Sequence, residues 1–160
     1  METVQGVLES NGCRSRCRFV GQLSHAEIAA YYQASDVVVS IAETDGTPMS
    51  VLEALATEVG VVVGDFAGYD PRYIEPEATV LAASPSDVPA LAGTIIRLLE
   101  QPDLRDRLGS EGRRRVVRDG TYVTQMKLLH TFYQVLVAKG RRRGRWRWAM
   151  VARARQRRAR

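Results

Sequence analysis

Asp45 and Glu53 are two carboxylates with seven residues between them, in the frame DGTPMSVLEALA. Carboxylates accept hydrogen bonds from neighbouring hydroxyls, so two acids flanking a short loop suit a polyhydroxylated ligand such as ribose or a sugar. Gly46 lets such a ligand approach the backbone closely. Thr47 is the expected N-cap of a helix and Pro48 its first residue, where a missing N–H is no loss and the fixed φ suits the helix. The amides of Met49, Ser50 and Val51 are then expected to point out of the helix N-terminus, whose partial positive charge suits phosphate. A plainer reading uses the same residues: Asp-Gly is a common turn, and a glutamate on a helix flank is ordinarily solvated.

These residues need a strand before them and a helix after them. Asp36 to Ser40 is a β-branched run of the kind found in strands covered on both faces. In the helix, about 100° per residue puts Val51, Leu52, Leu55 and Ala56 on one apolar stripe and turns Glu53 aside. Glu53 lies roughly 8 Å along the axis from the helix start, past the phosphate-binding amides. Val61 to Val63 gives a second buried run, so the pair reads as a strand-helix-strand crossover in a parallel sheet. Ligands of such sheets bind outside the carboxyl ends of the strands, where the 42–47 loop lies and where Gly64 to Asp70 is placed to wall the site.

The stretch resembles the donor-binding motif of the GT-B retaining glycosyltransferases of family 4, in which two acids are separated by seven residues and the second is followed by a small or apolar helix. CRFVGQLSHAEIAAYYQASDVVVS is similar to the family's preceding strand, glycine loop, helix and strand, and VGVVVGDFAGYDPRYIE to the strand and loop after the motif. The resemblance covers most of the chain and fades after Gly140. It implies an α/β fold: a partial doubly wound, Rossmann-like parallel sheet with flanking helices, the C-terminal half of a GT-B architecture. It also implies transfer of a sugar with retention from a UDP- or GDP-sugar to an acceptor hydroxyl. Glu53 is then the group for ribose and Asp45 the group for the sugar. Gly46, Thr47, Pro48, Met49, Ser50 and Val51 take the sugar and phosphates, and Gly21 and Gln22 lie near the nucleobase. No metal and no cofactor is required.

The sequence departs from the family in three places. Asp45 stands where the longer Glu is usual, Thr57-Glu58-Val59-Gly60 replaces a glycine-bearing turn, and the Arg and Lys that usually hold the diphosphate have no counterpart. The acceptor-binding domain has no counterpart either, so the chain reads as N-terminally truncated. Three readings stay open: a donor-binding portion of an enzyme, weak or inactive alone; an accessory subunit completed by an acceptor-domain partner chain; and an inactive fragment. If residues 16–20 form the third strand of a 3-2-1-4-5-6 sheet and 36–40 the fourth, the strands between them are missing. The first strand is expected either to move beside Val37 to Val39 or to leave that edge open.

The other elements expected are a short helix over residues 2–11 and a helix begun by a Ser24/Glu27 capping box, with Ile28, Tyr31 and Tyr32 for packing. A strand is expected over 79–82 and a helix over 86–100, with Leu91, Ile95, Leu98 and Leu99 on one face. Further helices are expected over 102–118 and 121–138, the last with Met126, Leu129, Phe132, Tyr133 and Val137 as its packing residues. Arg113, Arg114 and Arg115 read as a solvated face.

At 160 residues, 45% hydrophobic and 26% charged, the chain has the size and composition of one globular domain. No apolar run approaches the roughly 18 residues of a membrane span. The N-terminus lacks a signal-peptide pattern, so a cytoplasmic location is expected. Cys13 and Cys17 read as ordinary reduced thiols, and neither His25 nor His130 gains a role. The net charge of +5 is unevenly placed: residues 1–138 carry 12 basic and 18 acidic groups, net −6, whereas 139–160 carry 11 basic groups and no acid. Residues 1–140 thus read as the partial nucleotide-sugar-binding domain and 141–160 as a basic tail, disordered in isolation. With Trp146 and Trp148 among its arginines, that tail suits an anionic membrane surface, such as the inner face of the cell membrane. Solvation alone is the plainer reading, and nucleic acid the least favoured, because the acidic body opposes it.

Overall fold

The computed structural model describes residues 4–42 and 46–158, with side chains through residue 140. Three parallel strands, β1 (Val37–Ser40), β2 (Gly60–Gly64) and β3 (Leu81–Ala83), lie in the order β1-β2-β3. Val38 pairs with Val61 and Val62 with Leu81. Around them run α1 (Val4–Ser10), α2 (His25–Gln33), α3 (Met49–Ala56), α4 (Val88–Glu100), α5 (Pro102–Asp119) and α6 (Tyr122–Arg158).

β2 is buried throughout because its alternate side chains serve two cores. Val61 and Val63 meet Val51, Ala54 and Leu55 of α3, together with Tyr73, Ile74 and Val80. Val62 turns the other way, onto Leu81, Leu98 and Leu108. Coverage on both faces is what the valine run of β2 requires; β1, expected to be covered likewise, is not, since Val37 and Val38 are half-buried and Val39 is exposed at the sheet's open edge. The buried stripe of α3 is Val51, Ala54 and Leu55, whereas Leu52 and Ala56 are only half-buried.

Residues 16–20 do not form the expected strand. Arg14–Arg16 is a single 3₁₀ turn, and 17–20 have no regular structure, with Phe19 and Val20 exposed. A strand needs a neighbour to take its backbone hydrogen bonds, and none lies beside this run. The side of β1 away from β2 therefore carries no strand among the described residues. Of the two outcomes expected for an incomplete sheet, the chain adopts the open edge.

The remaining elements follow local signals with small shifts. Ser24 and Glu27 form the capping box: the Ser24 amide donates to the Glu27 carboxylate at 2.8 Å and Ser24 Oγ accepts from the Glu27 amide. Ile28 and Tyr32 are half-buried, but Tyr31 is exposed. α4 starts two residues later than expected because Asp87 caps it, accepting from the Ala90 amide at 3.0 Å. Leu98 is buried while Leu99 is exposed. β3 begins later as well, since Thr79 is buried in the preceding loop, donating to the Tyr73 carbonyl at 2.8 Å and accepting from the Glu75 amide at 2.9 Å.

Two expectations about the C-terminal helices change. Arg113 and Arg114 are exposed, as expected of a solvated face, but Arg115 is largely covered. Arg115 joins Glu111 at 2.7 Å and Glu75 at 2.6 Å, Arg113 reaches Glu58 and the Ala56 carbonyl, and Arg114 pairs with Glu111. Helical spacing fans them apart, yet Arg114 and Arg115 converge on the Glu111 carboxylate while Arg113 turns to the end of α3. In α6, Met126, Leu129, Phe132, Tyr133 and Val137 are all exposed, because among the described residues no second layer lies against that helix beyond its first turns. The helix continues to Arg158, where a tail without regular structure was expected. The segment has no proline, and Arg, Ala and Met all favour helix.

Candidate functional site

The site is built at the carboxyl edge of the sheet. β1 ends at Ser40, the chain passes through Ile41 and Ala42, and Gly46 to Pro48 lead into α3. The Ala42 carbonyl lies so close to Gly64 that a β-carbon there would approach it to 2.9 Å, which ties the exit of β1 to the end of β2. Asp45, the expected sugar-binding acid, lies outside the described residues.

Pro48 is the N-cap of α3 rather than its first residue: its φ of −62° and ψ of 128° are extended, and Thr47 lies one residue outside the helix. Proline's restricted φ fits both positions, and ψ decides between them. The Pro48 carbonyl accepts from the amides of Val51 at 3.1 Å and Leu52 at 3.2 Å. Val51 thus differs from the sequence expectation: its amide is engaged and its side chain is wholly buried. The amides of Met49 and Ser50 have no carbonyl one turn back within the helix, and both residues are exposed. A β-carbon added to Gly46 would meet nothing within 4 Å, so space lies open beside the backbone where a ligand would sit.

Glu53 is half-buried on the flank of α3, about 6 Å along the axis from Met49. Its Oε1 is 3.9 Å from Nδ1 of His25, the first residue of α2. Tyr32, two turns along the same helix, also senses Glu53: its phenol is pushed up, first by burial and then by the Glu53 charge. His25 and Tyr32 are seven residues apart and so share one face of α2. No sequence signal gave His25 this place; the packing of α2 on α3 does.

Gly21 and Gln22 are both exposed in the turn before α2, and Gly21 has a φ of +68°, which glycine adopts without strain. The turn is linked to α3 through His25. On the other side, the loop after β2 encloses a hollow of about 320 Å³ lined by Gly64, Asp65, Phe66, Tyr69, Ile74 and Ala82. Phe66 and Tyr69 meet edge to face at 5.5 Å and stiffen it.

Among the described residues no three His, Cys, Asp or Glu side chains converge as a metal site, and both cysteines are free thiols. No helix among them is long and apolar enough to cross a membrane. The arrangement offers amides for an anion, one carboxylate for hydroxyls, and open space between strand ends and helix start.

The glycosyl transferases group 1 family matches residues 2–115, which contain β1 to β3, α3 and the whole candidate site. The chain belongs to this family. An alpha-D-kanosaminyltransferase from Streptomyces kanamyceticus is 26% identical over 105 residues, 66% of this chain and 27% of that protein. A GDP-mannose-dependent monoacylated alpha-(1-6)-phosphatidylinositol monomannoside mannosyltransferase from Corynebacterium glutamicum is 33% identical over 106 residues, covering 62% of this chain and 27% of its own length. Among solved structures, a sucrose-phosphate synthase from Thermosynechococcus elongatus superposes with a TM-score of 0.75 at 29% identity, over 84% of this chain and 34% of that one. This glycosyl transferases group 1 chain spans about a quarter of the length of the curated relatives it matches. The parallel sheet with flanking helices is the fold its GT-B neighbours share.

Proposed function

We propose that this chain is the donor-binding portion of a family 4 retaining glycosyltransferase, and that it takes a UDP- or GDP-sugar. In the reaction the bond between the anomeric carbon and the diphosphate oxygen breaks and a bond to an acceptor hydroxyl oxygen forms with the same anomeric configuration. The leaving diphosphate carries away the electron pair, and its oxygen takes the proton that the acceptor hydroxyl gives up. The protein's part is to position the donor and stabilise the diphosphate.

The observation that carries this reading is the exposed start of α3 at the strand ends, with Gly46 bordering open space and the Glu53 carboxylate little more than a turn beyond the free amides of Met49 and Ser50. The named donor of the Corynebacterium relative supports the same class of ligand. We assign Glu53 to the ribose hydroxyls, Asp45 to the sugar, and the backbone of Gly46, Thr47, Met49 and Ser50 to sugar and phosphates. Pro48 and Val51 shape the cradle rather than donate to it.

Residues 1–140 form the donor domain in this proposal, and the acceptor domain comes from further chain or from a partner polypeptide. The open edge of β1 favours completion by other chain over an inactive fragment, because an unpaired parallel edge leaves backbone groups without partners. Residues 141–160, with ten of the chain's basic groups and no acid, bind an anionic membrane surface.

Calorimetric titration with UDP and GDP tests the donor site. Saturable binding is expected, weakened in Glu53→Ala by about 1 to 3 kcal/mol, the scale of hydrogen bonds to a charged group. A folded chain that binds neither nucleotide, or a Glu53→Ala variant that binds as tightly as the wild type, overturns the assignment.

A further inference from the structure

The 3.9 Å between His25 Nδ1 and Glu53 Oε1 is too long for a direct hydrogen bond. It is short enough for a single oxygen to reach both. A hydroxyl at about 2.7 Å from the carboxylate and about 2.9 Å from the imidazole nitrogen would subtend an angle of about 90° between them, within what one hydroxyl can make as donor and acceptor together. The second oxygen of Glu53 is then left for a neighbouring hydroxyl.

The surroundings fit a ligand contact. The His25 side chain is 98% exposed, so among the described residues nothing covers its outer edge. Its backbone is nevertheless held, because the Ser24/Glu27 capping box fixes the first turn of α2, with Ser24 Oγ at 2.6 Å from the Glu27 carboxylate. Glu27 is thereby committed to Ser24 and does not compete for the imidazole. On the same face of α2, Tyr32 packs against the core, close enough for its phenol to be pushed up by the Glu53 charge after burial. Glu53 is one-third exposed, and His25 flanks its carboxylate.

We propose that His25 is a further binding residue at the nucleoside end of the donor site: its imidazole N–H donates to one hydroxyl of a vicinal diol while that hydroxyl donates to Glu53, whose other oxygen takes the second hydroxyl. This deepens the donor-site reading and rests on it. The ligand chemistry is the cis diol of a ribonucleoside diphosphate, and the pair makes the site selective for ribose over deoxyribose.

The test is calorimetric titration of the full chain with UDP and GDP and with their 2′-deoxy and 3′-deoxy analogues, for the wild type, His25→Ala, His25→Gln and Glu53→Ala. His25→Ala is expected to weaken ribonucleotide binding about 3- to 10-fold, the worth of one neutral hydrogen bond. His25→Gln, which keeps an N–H donor, is expected to restore most of that loss. Against the analogue lacking the bridging hydroxyl, His25→Ala is expected to change nothing. Ribonucleotide binding that Glu53→Ala weakens but His25→Ala leaves unchanged overturns the role of His25 alone, as does a glutamine variant as weak as the alanine one. Absence of nucleotide binding by the folded wild type, or indifference to Glu53→Ala, removes the donor site and this inference together.

Discussion

Gly109 of α5 lies directly against the carbonyl of Glu58, so close that a β-carbon at that position would collide with the Glu58 backbone. Glu58 follows Thr57, the C-cap of α3, in the left-handed region with φ of 66°, and its amide donates to the Leu55 carbonyl at 3.1 Å. A non-glycine residue there carries strain, since left-handed backbone disfavours a β-carbon. What holds it is the packing of α5 beneath it and the Arg113 guanidinium, 3.2 Å from its carboxylate. The turn from α3 into β2 thus depends on a helix that begins more than forty residues later in the chain.

Gly109→Ala is expected to destabilise the fold by about 1 to 3 kcal/mol, the range for an added group in a filled space. The obstacle is backbone, which cannot rotate away as a side chain would. Denaturant melts compared with those of Gly93→Ala, where an added β-carbon meets nothing within 4 Å, check this. Equal midpoints for the two variants would mean that α5 shifts freely on α3.

Acid should weaken the same region through Glu111. Hydrogen bonds from Arg114, and then from Arg115, bring its carboxyl down from about 4.5 to about 2. Arg114 is 60% exposed and screened by water, so for stability the Arg115 link, 18% exposed and shared with Glu75, carries more weight. The unfolded carboxyl binds a proton as pH falls through about 4.5, whereas the folded one resists until about 2, so the contribution is full above 4.5 and lost between those values. Glu111→Gln is expected to be less stable than the wild type at pH 7 by about 1 kcal/mol, with the gap closing towards pH 2. Melts at pH 7, 4 and 2.5 read this, and a gap independent of pH contradicts it.

The basic end of α6 is tested with vesicles. The full chain is expected to sediment with anionic phospholipid vesicles and not with zwitterionic ones. Replacing Arg141, Arg142 and Arg143 by Gln should lower the bound fraction, at about 1 kcal/mol per basic residue near the surface, and high salt should release the chain. Equal sedimentation of this variant and the wild type would refute the membrane proposal. Binding to a DNA duplex but not to vesicles would transfer the segment to nucleic acid.

Much of the scaffold was legible locally. Pro102 at the start of α5, the Ser24/Glu27 box, the valine runs of β1 and β2, and Glu53 turned off the apolar stripe of α3 all follow from short-range rules of propensity, capping and periodicity. Such signals act over a few residues, so one sequence suffices to read them. Even there ψ at Pro48 moved the helix start by one residue and engaged the Val51 amide, because φ alone does not distinguish cap from first turn.

The sequence by itself determined the kind of layers, the family resemblance and the place of the candidate site at the strand ends. Only the tertiary structure decided which distant groups meet. Cys17 to Val20 has a strand's composition but no neighbour to pair with, so it stays irregular. Arg115 looks like a surface charge until α5 is laid beside the 71–75 loop, where it finds Glu75 and the Pro71 carbonyl. His25 stands 28 residues from Glu53, and only the contact between α2 and α3 puts the imidazole within one hydroxyl of the carboxylate. The physical reason is common to all three: pairing, charge compensation and ligand geometry are set by separations in space, which local sequence patterns do not encode.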